Sequence, residues 1–358
     1  MAGLSGRLKE KARELGLVPA GITTAEPLYE ARAALELSFP ANEKLPFTTG
    51  DKLQRTTPTL VWPQAKSIIM VGLPFTVPTA RPASGTMQGY FAAGSSGEDY
   101  HLVLRDKLAN LAAFLQQEVT GAWAVPFVDT GPLMERALAQ RAGMGIWGEN
   151  GFLIRPEPGS AFFLGGLATD AKLSPDSPLT EACLKCGRCR DACPTKALNT
   201  PYRLDYRRCL SYWTQSKEII PAELRPLLGN RLYGCDSCLR ACPLIKKSPL
   251  DGVIVGLSEL LTLNNREFKQ RYGSRSFAWR GRTVLQRNAA IALGNSGQEE
   301  AVPVLTSLLE DERAPLRIAA AWSLGQIDTA SCRLALAQRL QYEIDPDVRL
   351  EIESALSD

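Results

Sequence analysis

Eight of the nine cysteines fall within 60 residues, Cys183 to Cys242, of a 358-residue chain. No other feature restricts the fold as tightly. Thiols this crowded end as disulfides or as metal ligands. The N-terminal run Met1-Ala2-Gly3-Leu4-Ser5-Gly6-Arg7 has no apolar stretch of signal-peptide length and no twin arginine. A cytoplasmic, reducing setting is therefore expected, and with it metal binding. No window approaches the roughly 18 apolar residues of a membrane helix. Cys332 stands apart in an Ala/Leu-rich region and is expected to be a small apolar core residue.

The spacing narrows the metal. Cys183-x2-Cys186-x2-Cys189-x3-Cys193-Pro194 is the run of bacterial dicluster ferredoxins. Three thiolates from one tight loop reach three irons of a [4Fe–4S] cube, and the fourth ligates the other cluster. The second half is Cys209, then Cys235-x2-Cys238-x3-Cys242-Pro243, with Cys209 standing 26 residues before Cys235. Crossed ligation then gives cluster one Cys183, Cys186, Cys189 and Cys242, and cluster two Cys193, Cys209, Cys235 and Cys238. Zinc is the alternative, since C-x2-C pairs also serve zinc ribbons, but two CxxxCP endings argue against it. Two clusters make an electron relay, so an acceptor site must lie elsewhere in the chain.

Hydrophobic periodicity supplies the rest of the organisation. Residues 7–16 read as a helix, 65–75 as a buried strand and 99–119 as an amphipathic helix with Leu104, Leu108, Leu111 and Leu115 on one stripe. Residues 123–128 read as a strand running into the turn Asp129-Thr130-Gly131-Pro132, followed by a helix over 133–142. Residues 152–154 and 162–169 read as further strands. Alternation of this kind predicts an α/β sandwich domain over 1–172. The cysteine domain follows at 173–250, a basic linker at 251–282 and a helical domain at 283–358. In the last, Ala290-Ile291-Ala292-Leu293-Gly294 aligns with Ala321-Trp322-Ser323-Leu324-Gly325, 31 residues later. Helical pairs at this period predict short HEAT-like repeats, with an ordinary bundle as the alternative. The fold class is thus α+β multidomain.

Net charge is +3, but it is unevenly spread. Arg231 to Arg287 holds eleven Lys/Arg against four Asp/Glu, leaving 30 basic and 34 acidic residues elsewhere. A basic segment on an otherwise acidic chain points to a polyanion. Ordinary catalytic signatures are absent: there is one histidine, His101, and neither a G-x-G-x-x-G nor a P-loop.

Asp129-Thr130-Gly131-Pro132-Leu133-Met134-Glu135-Arg136-Ala137 and Ala142-Gly143-Met144-Gly145-Ile146-Trp147-Gly148-Glu149-Asn150 resemble the central signature of the epoxyqueuosine reductases. Gly97-Glu98-Asp99-Tyr100-His101, Gly159-Ser160-Ala161-Phe162-Phe163-Leu164-Gly165, Gly234-Cys235-Asp236-Ser237-Cys238 and the run Arg287 to Asn295 fit the same family, in order, over nearly the whole chain. The resemblance implies reduction of epoxyqueuosine at the wobble position of a tRNA anticodon, losing the epoxide oxygen as water. It also implies base-off cobalamin beside the two [4Fe–4S] clusters, with the N-terminal domain cradling the corrin. A soluble low-potential donor such as ferredoxin or flavodoxin would feed the clusters. Nothing in the sequence compels more than a monomer.

By the same resemblance Asp129 is the proton donor. A carboxyl can fill that role only if desolvation raises its pKa toward neutrality. The bland alternative is that Asp129 caps the helix beginning near Pro132. Arg55 and Asp129 are expected on the corrin side, as is His101, with a polar pocket residue or a satisfied helix residue as its alternatives, and Thr214, Ser216, Cys235 and Asp236 along the space between clusters and corrin. For tRNA, Lys246, Lys247, Arg280, Arg282 and Arg287 are expected on phosphates, with Tyr272, Phe277 and Trp279 interleaved for stacking on unpaired bases. The chain departs from the family at Glu149, where a lysine is usual, and at Gln215-Ser216. Two other functions remain open at this point: a reductive dehalogenase-like cobalamin protein, and a non-enzymatic dicluster electron carrier.

Overall fold

The computed structural model describes residues 3–39, 46–156, 159–181, 183–249 and 252–357. The chain forms two compact units: Met1–Phe75 with Asp99–Gly187 and Pro243–Lys246, and Thr76–Glu98 with Arg188–Cys242 and Lys247–Asp358. This division differs from the four consecutive domains expected. The cysteine segment from Arg188 belongs with the helical repeats, and the second unit also takes Thr76–Glu98. The expected boundary at 250/251 lies outside the described residues.

Unit one is built on a four-stranded sheet. Its strands are β1 (Ala20–Thr24), β2 (Ser67–Pro74), β3 (Ala124–Phe127) and β4 (Phe162–Thr169), in the order β1-β2-β4-β3. Every pairing is antiparallel, so the sandwich is α+β in character, not a parallel βαβ array. Strand β2 is central, and its first six residues are all buried. Because side chains alternate along a strand, Ile69 and Val71 pack to one face and Ile68 and Met70 to the other.

Helices α1 (Leu4–Glu14) and α2 (Tyr100–Glu118) cover the first face, with Leu8, Leu104, Leu108, Leu111 and Leu115 all fully buried. Helix α3 (Glu135–Arg141) covers the second through Leu138 and Ala139. Asp99 caps α2 by accepting from the His101 amide. That cap fixes where Tyr100 and His101 leave the helix. Gly166 of β4 is required by packing: a Cβ there would overlap the Phe127 ring.

Unit two holds short helices Arg188–Asp191, Leu210–Trp213 and Ser237–Ala241 around the cysteines. Strand Gln88–Phe91 pairs with Arg231–Tyr233 on one side and Ile254–Gly256 on the other. Beyond these come α4 (Leu257–Thr262), α5 (Asn265–Tyr272), α6 (Arg282–Ser296), α7 (Val302–Leu308), α8 (Ala314–Ile327), α9 (Ala330–Leu340) and α10 (Pro346–Ser357). Helix α5 starts with a capping box formed by Asn264 and Glu267. The repeat read from the sequence is a packing repeat. A Cβ on Gly294 of α6 would lie 2.7 Å from Ser323 of α8, and one on Gly325 of α8 would lie 2.8 Å from Ala355 of α10. The two glycines hold equivalent places, each letting the next helix approach. Cys332 is fully buried in the helical core.

Candidate active site and cluster cysteines

In unit one the functional groups gather where β3 ends. Asp129 follows β3 and adopts φ +49°, a left-handed conformation that costs a non-glycine residue about 1 kcal/mol or more. Its carboxylate Oδ2 accepts from Tyr100 Oη at 2.5 Å and lies 3.4 Å from His101 Nε2. His101 Nδ1 is 2.6 Å from Asp99 Oδ1. A neutral imidazole has one N–H and can satisfy only one of two carboxylates, so this placement favours the imidazolium. The His101 pKa is accordingly raised, first by the hydrogen bond to Asp129, although Asp99 is the nearer partner. Asp129 is held below the ordinary carboxylate range by His101, against desolvation, with Tyr100 assisting. Stacking fixes the tyrosine: its ring lies 4.0 Å from that of Phe163, at 2° between planes.

Behind Asp129 stands Glu135, the first residue of α3. Its Oε1 accepts the Asp129 backbone N–H at 2.6 Å. Desolvation, and then the Asp129 charge, push its pKa up to about 8. Arg136 faces both carboxylates, and its Nη1 donates to Gly151 O at 2.8 Å. Arg55 lies within electrostatic reach of Arg136 and Glu135. Its carbonyl accepts from the Met134 amide at 3.0 Å, while its own Nε is buried without a hydrogen-bond partner. Asn150 Nδ2 and Ser160 Oγ, in residues only 5% exposed, are also unsatisfied. Buried donors in native proteins are nearly always paired, so three such atoms in one unit suit a ligand rich in acceptors.

Unit two gathers sulfur. Burial raises the Cys238 pKa, and the thiols of Cys235, Cys209, Cys193 and Cys189 each raise it further. Cys209 is pushed up to about 11, first by burial, with Cys235 and Cys193 adding to the shift. Burial and neighbouring sulfurs thus oppose thiolate formation at Cys209 and Cys238, and an iron cluster supplies the positive charge that reverses this. Backbone N–H groups already point at sulfur. The Ala197 amide donates to Cys193 Sγ at 3.2 Å, and the amides of Tyr212 and Ser211 reach Cys209. Such donors stabilise thiolates and tune cluster potential. Among the described residues no three His, Cys, Asp or Glu side chains are gathered closely enough to hold a metal ion. The ligand sets therefore rest on spacing and on these sulfur neighbours.

Comparison with known proteins agrees with this anatomy. Three family models match: "Epoxyqueuosine reductase QueG, DUF1730" over residues 55–130, "4Fe-4S double cluster binding domain" over 182–244, and "HEAT repeats" over 281–357. The epoxyqueuosine reductase of Bacillus subtilis strain 168 is 38% identical, across 99% of this chain and 95% of the relative. The chain belongs to the epoxyqueuosine reductase family. One solved epoxyqueuosine reductase, with a tRNA-Tyr epoxyqueuosine-modified tRNA stem loop, aligns at TM-score 0.93 and 37% identity over 99% of this chain and 98% of that one. A second, from Bacillus subtilis, has its catalytic aspartate loop swung out of the active site. It aligns at TM-score 0.90 and 36% identity, over the same shares of the two chains. The epoxyqueuosine reductases are oxidoreductases, and membership sets aside the dehalogenase-like and electron-carrier alternatives.

Several residues expected at the site of an epoxyqueuosine reductase have other work in this chain. Asp129 does not cap α3, which begins at Glu135 after Met134 with no side-chain cap. Nor is its pKa raised as a proton donor was expected to need; His101 reverses the sign. Thr214 is fully buried and its Oγ1 accepts the Gly234 amide at 2.9 Å, while Ser216, also buried, accepts from the Glu218 amide. Both hydroxyls thus accept from the backbone of their own unit. Asp236, 7% exposed, is paired with Arg81 and accepts the Ala93 amide at 3.2 Å.

The tRNA candidates divide. Arg287 is 4% exposed, so it cannot reach a phosphate. Its guanidinium donates to the carbonyls of Ser216, Glu218 and Trp213. Arg282 donates to Leu263 O at 2.8 Å, just past the end of α4, and Arg280 to Gln215 O while stacking 4.3 Å from Trp279. Lys246 and Lys247 are exposed. Of the aromatics, Phe277 and Tyr272 are core, with Phe277 stacked 3.9 Å from Phe91, and Trp279 is 56% exposed. Tyr100, Glu135, Arg136, Asn150 and Ser160 were missed as site residues. All sit inside the family-like stretches, so the motifs themselves were the available signal.

Proposed function

We propose that this chain reduces the epoxide of epoxyqueuosine in tRNA, with Asp129 and His101 handling the proton and the cysteine segment supplying electrons. The observation that carries the reading is one carboxylate oxygen, Asp129 Oδ2, met by both Tyr100 Oη and His101 Nε2. Opening an epoxide develops negative charge on oxygen, and a positioned acid speeds such a step by about 10²–10⁴-fold. Here the proton rests on His101, with Asp129 as the shared acceptor that orients it. Tyr100 holds the carboxylate from the other side. The loop bearing Asp129 is the counterpart of the catalytic loop that swings in the Bacillus subtilis relative.

Cobalamin, if bound, supplies a low-valent cobalt as electron donor to the substrate. The unpaired donors on Arg55, Asn150 and Ser160 suit its amide and phosphate oxygens, and we assign these residues to hold it. Cluster two takes Cys193, Cys209, Cys235 and Cys238 from the crossed spacing, and Cys193 and Cys235 each act on both Cys209 and Cys238. Cluster one takes Cys183, Cys186, Cys189 and Cys242 from the crossed spacing alone. A soluble low-potential carrier feeds the pair. The anticodon loop meets exposed cations such as Lys246 and Lys247, with Trp279 as a stacking platform. No helix among the described residues is long and apolar enough to cross a membrane.

The test is anaerobic reconstitution followed by analysis of iron, cobalt and turnover. About eight irons per chain, retained cobalamin and conversion of epoxyqueuosine-bearing tRNA support the reading. Iron incorporation with no corrin affinity would sink it.

A further inference from the structure

Between the buried side chains of Val128 and Leu133, the middle of the segment that joins β3 to α3 has little to hold it. Asp129 and Thr130 are exposed, and a Cβ placed on Gly131 would meet nothing within 4 Å. A segment with few buried contacts belongs to the easily opened part of a fold. Yet this one keeps Asp129 at φ +49°, a conformation that relaxes unless something opposes it. Its backbone anchors are few. The Thr130 amide closes a tight turn onto Val128 O at 2.5 Å, and the Met134 amide reaches Arg55 O at 3.0 Å. The turn bond lies within the segment and cannot tie it to the body of the unit. The Arg55 bond holds only the far end. The Asp129 amide itself goes to Glu135 Oε1 at 2.6 Å.

We propose that Glu135 is the latch of the Asp129 loop: by accepting the Asp129 amide from the first turn of α3, it holds the carboxylate against Tyr100 and His101. This deepens the functional reading above, on which the meaning of the loop rests. The latch needs an acceptor oxygen and not a charge. Glu135 sits beside a carboxylate, and desolvation with that charge raises its pKa to about 8; ionised or protonated, it keeps an oxygen that accepts the Asp129 amide. It touches no reacting atom and is a positioning residue. Arg136, facing both carboxylates, limits the repulsion between them when Glu135 does ionise.

Hydrogen exchange on the full, cluster-loaded chain tests this without reference to turnover. Glu135→Ala should speed exchange in a peptide spanning residues 128–133 by about tenfold or more, the loss of one well-formed hydrogen bond. Melting temperature and iron content should stay at the wild-type values. Glu135→Gln, which keeps an acceptor oxygen, should hold exchange near the wild-type rate. In turnover, Glu135→Ala should lower kcat with little change in KM, and Glu135→Gln should restore most of it. Unchanged exchange in Glu135→Ala overturns the latch. So does Glu135→Gln exchanging as fast as Glu135→Ala, which would assign the effect to the carboxyl proton instead. If the wild-type chain fails to turn over epoxyqueuosine, the functional reading falls while the exchange result still decides the latch.

Discussion

Arg287, in the second turn of the first repeat helix, donates to the carbonyl oxygens of Ser216 and Trp213, both at 2.9 Å. The neighbouring Asn288 donates to Thr214 O and Leu232 O at 2.8 Å. Two consecutive side chains of α6 thus satisfy the backbone that links Cys209 to Cys235. This explains how the 26-residue gap between these two cysteines keeps one shape. Burial draws the Arg287 pKa down to about 9, so it is still charged at neutral pH.

Replacing Arg287 with Gln should therefore cost stability and not tRNA affinity. It strands the carbonyls of Ser216, Glu218 and Trp213 in the core, and a buried acceptor left unsatisfied typically costs about 1–3 kcal/mol. A fall in denaturation midpoint, with slower iron incorporation, is the expected result. A normal midpoint with weakened tRNA binding would return Arg287 to the surface role first read from its charge.

Activity should depend on the protonation of His101. Its pKa is raised in the folded chain, so the stability it lends is full below about 6.5 and is lost as pH rises through the raised value. Asp129 is lowered, so its contribution is present above about 3.8 and fades as pH falls through the depressed value. Between these limits the ion pair is intact. Turnover should thus decline on the alkaline side with the His101 pKa, and His101→Gln should remove that limb while lowering the rate throughout. An alkaline limb that survives in His101→Gln belongs to another group.

Asp129→Asn keeps the size of the side chain and removes its charge. Turnover should fall by about 10²–10⁴-fold, with iron and cobalamin content unchanged. The His101 pKa should drop at the same time, because the carboxylate that most favours its charged form is gone. NMR titration of the single histidine reads this directly, and an unmoved His101 would contradict the pairing.

How much of this was legible beforehand depended on whether a signal was local. The long helix α2 was read at 99–119 and runs Tyr100–Glu118, because four leucines at helical spacing leave no other period. The strand at 162–169 was read to the residue. Strand β1, with only five residues and two threonines, offered no run long enough to register. Strand direction was invisible, since alternation of strands and helices does not distinguish an antiparallel sheet from a parallel one. The 31-residue repeat was legible because Gly294 and Gly325 must both be small for their neighbours. Charge was the poorest guide. Counting basic residues cannot separate Lys247, which is exposed, from Arg287, which is not. The sign of the Asp129 shift was equally hidden, because His101 lies 28 positions away in the chain and acts only through the fold.

The revised surface makes the tRNA prediction sharper than a count of cations. Lys247 is exposed on a two-residue strand paired with Val77–Pro78, so Lys247→Gln should leave the fold intact. It should weaken tRNA binding equally for modified and unmodified stem loops. The slope of log affinity against log salt should flatten by about 0.7–0.9, the loss of one phosphate contact. Trp279 acts differently. Its ring is over half exposed, with Nε1 donating to Tyr233 Oη at 2.8 Å and Arg280 stacked on it. Trp279→Ala should cost about 1–3 kcal/mol of binding without changing the salt slope, because stacking releases no counterions. Tyr272→Phe, by contrast, alters a core residue and should leave binding alone. If Trp279→Ala and Lys247→Gln both leave affinity untouched, the anticodon loop binds some other face of the chain.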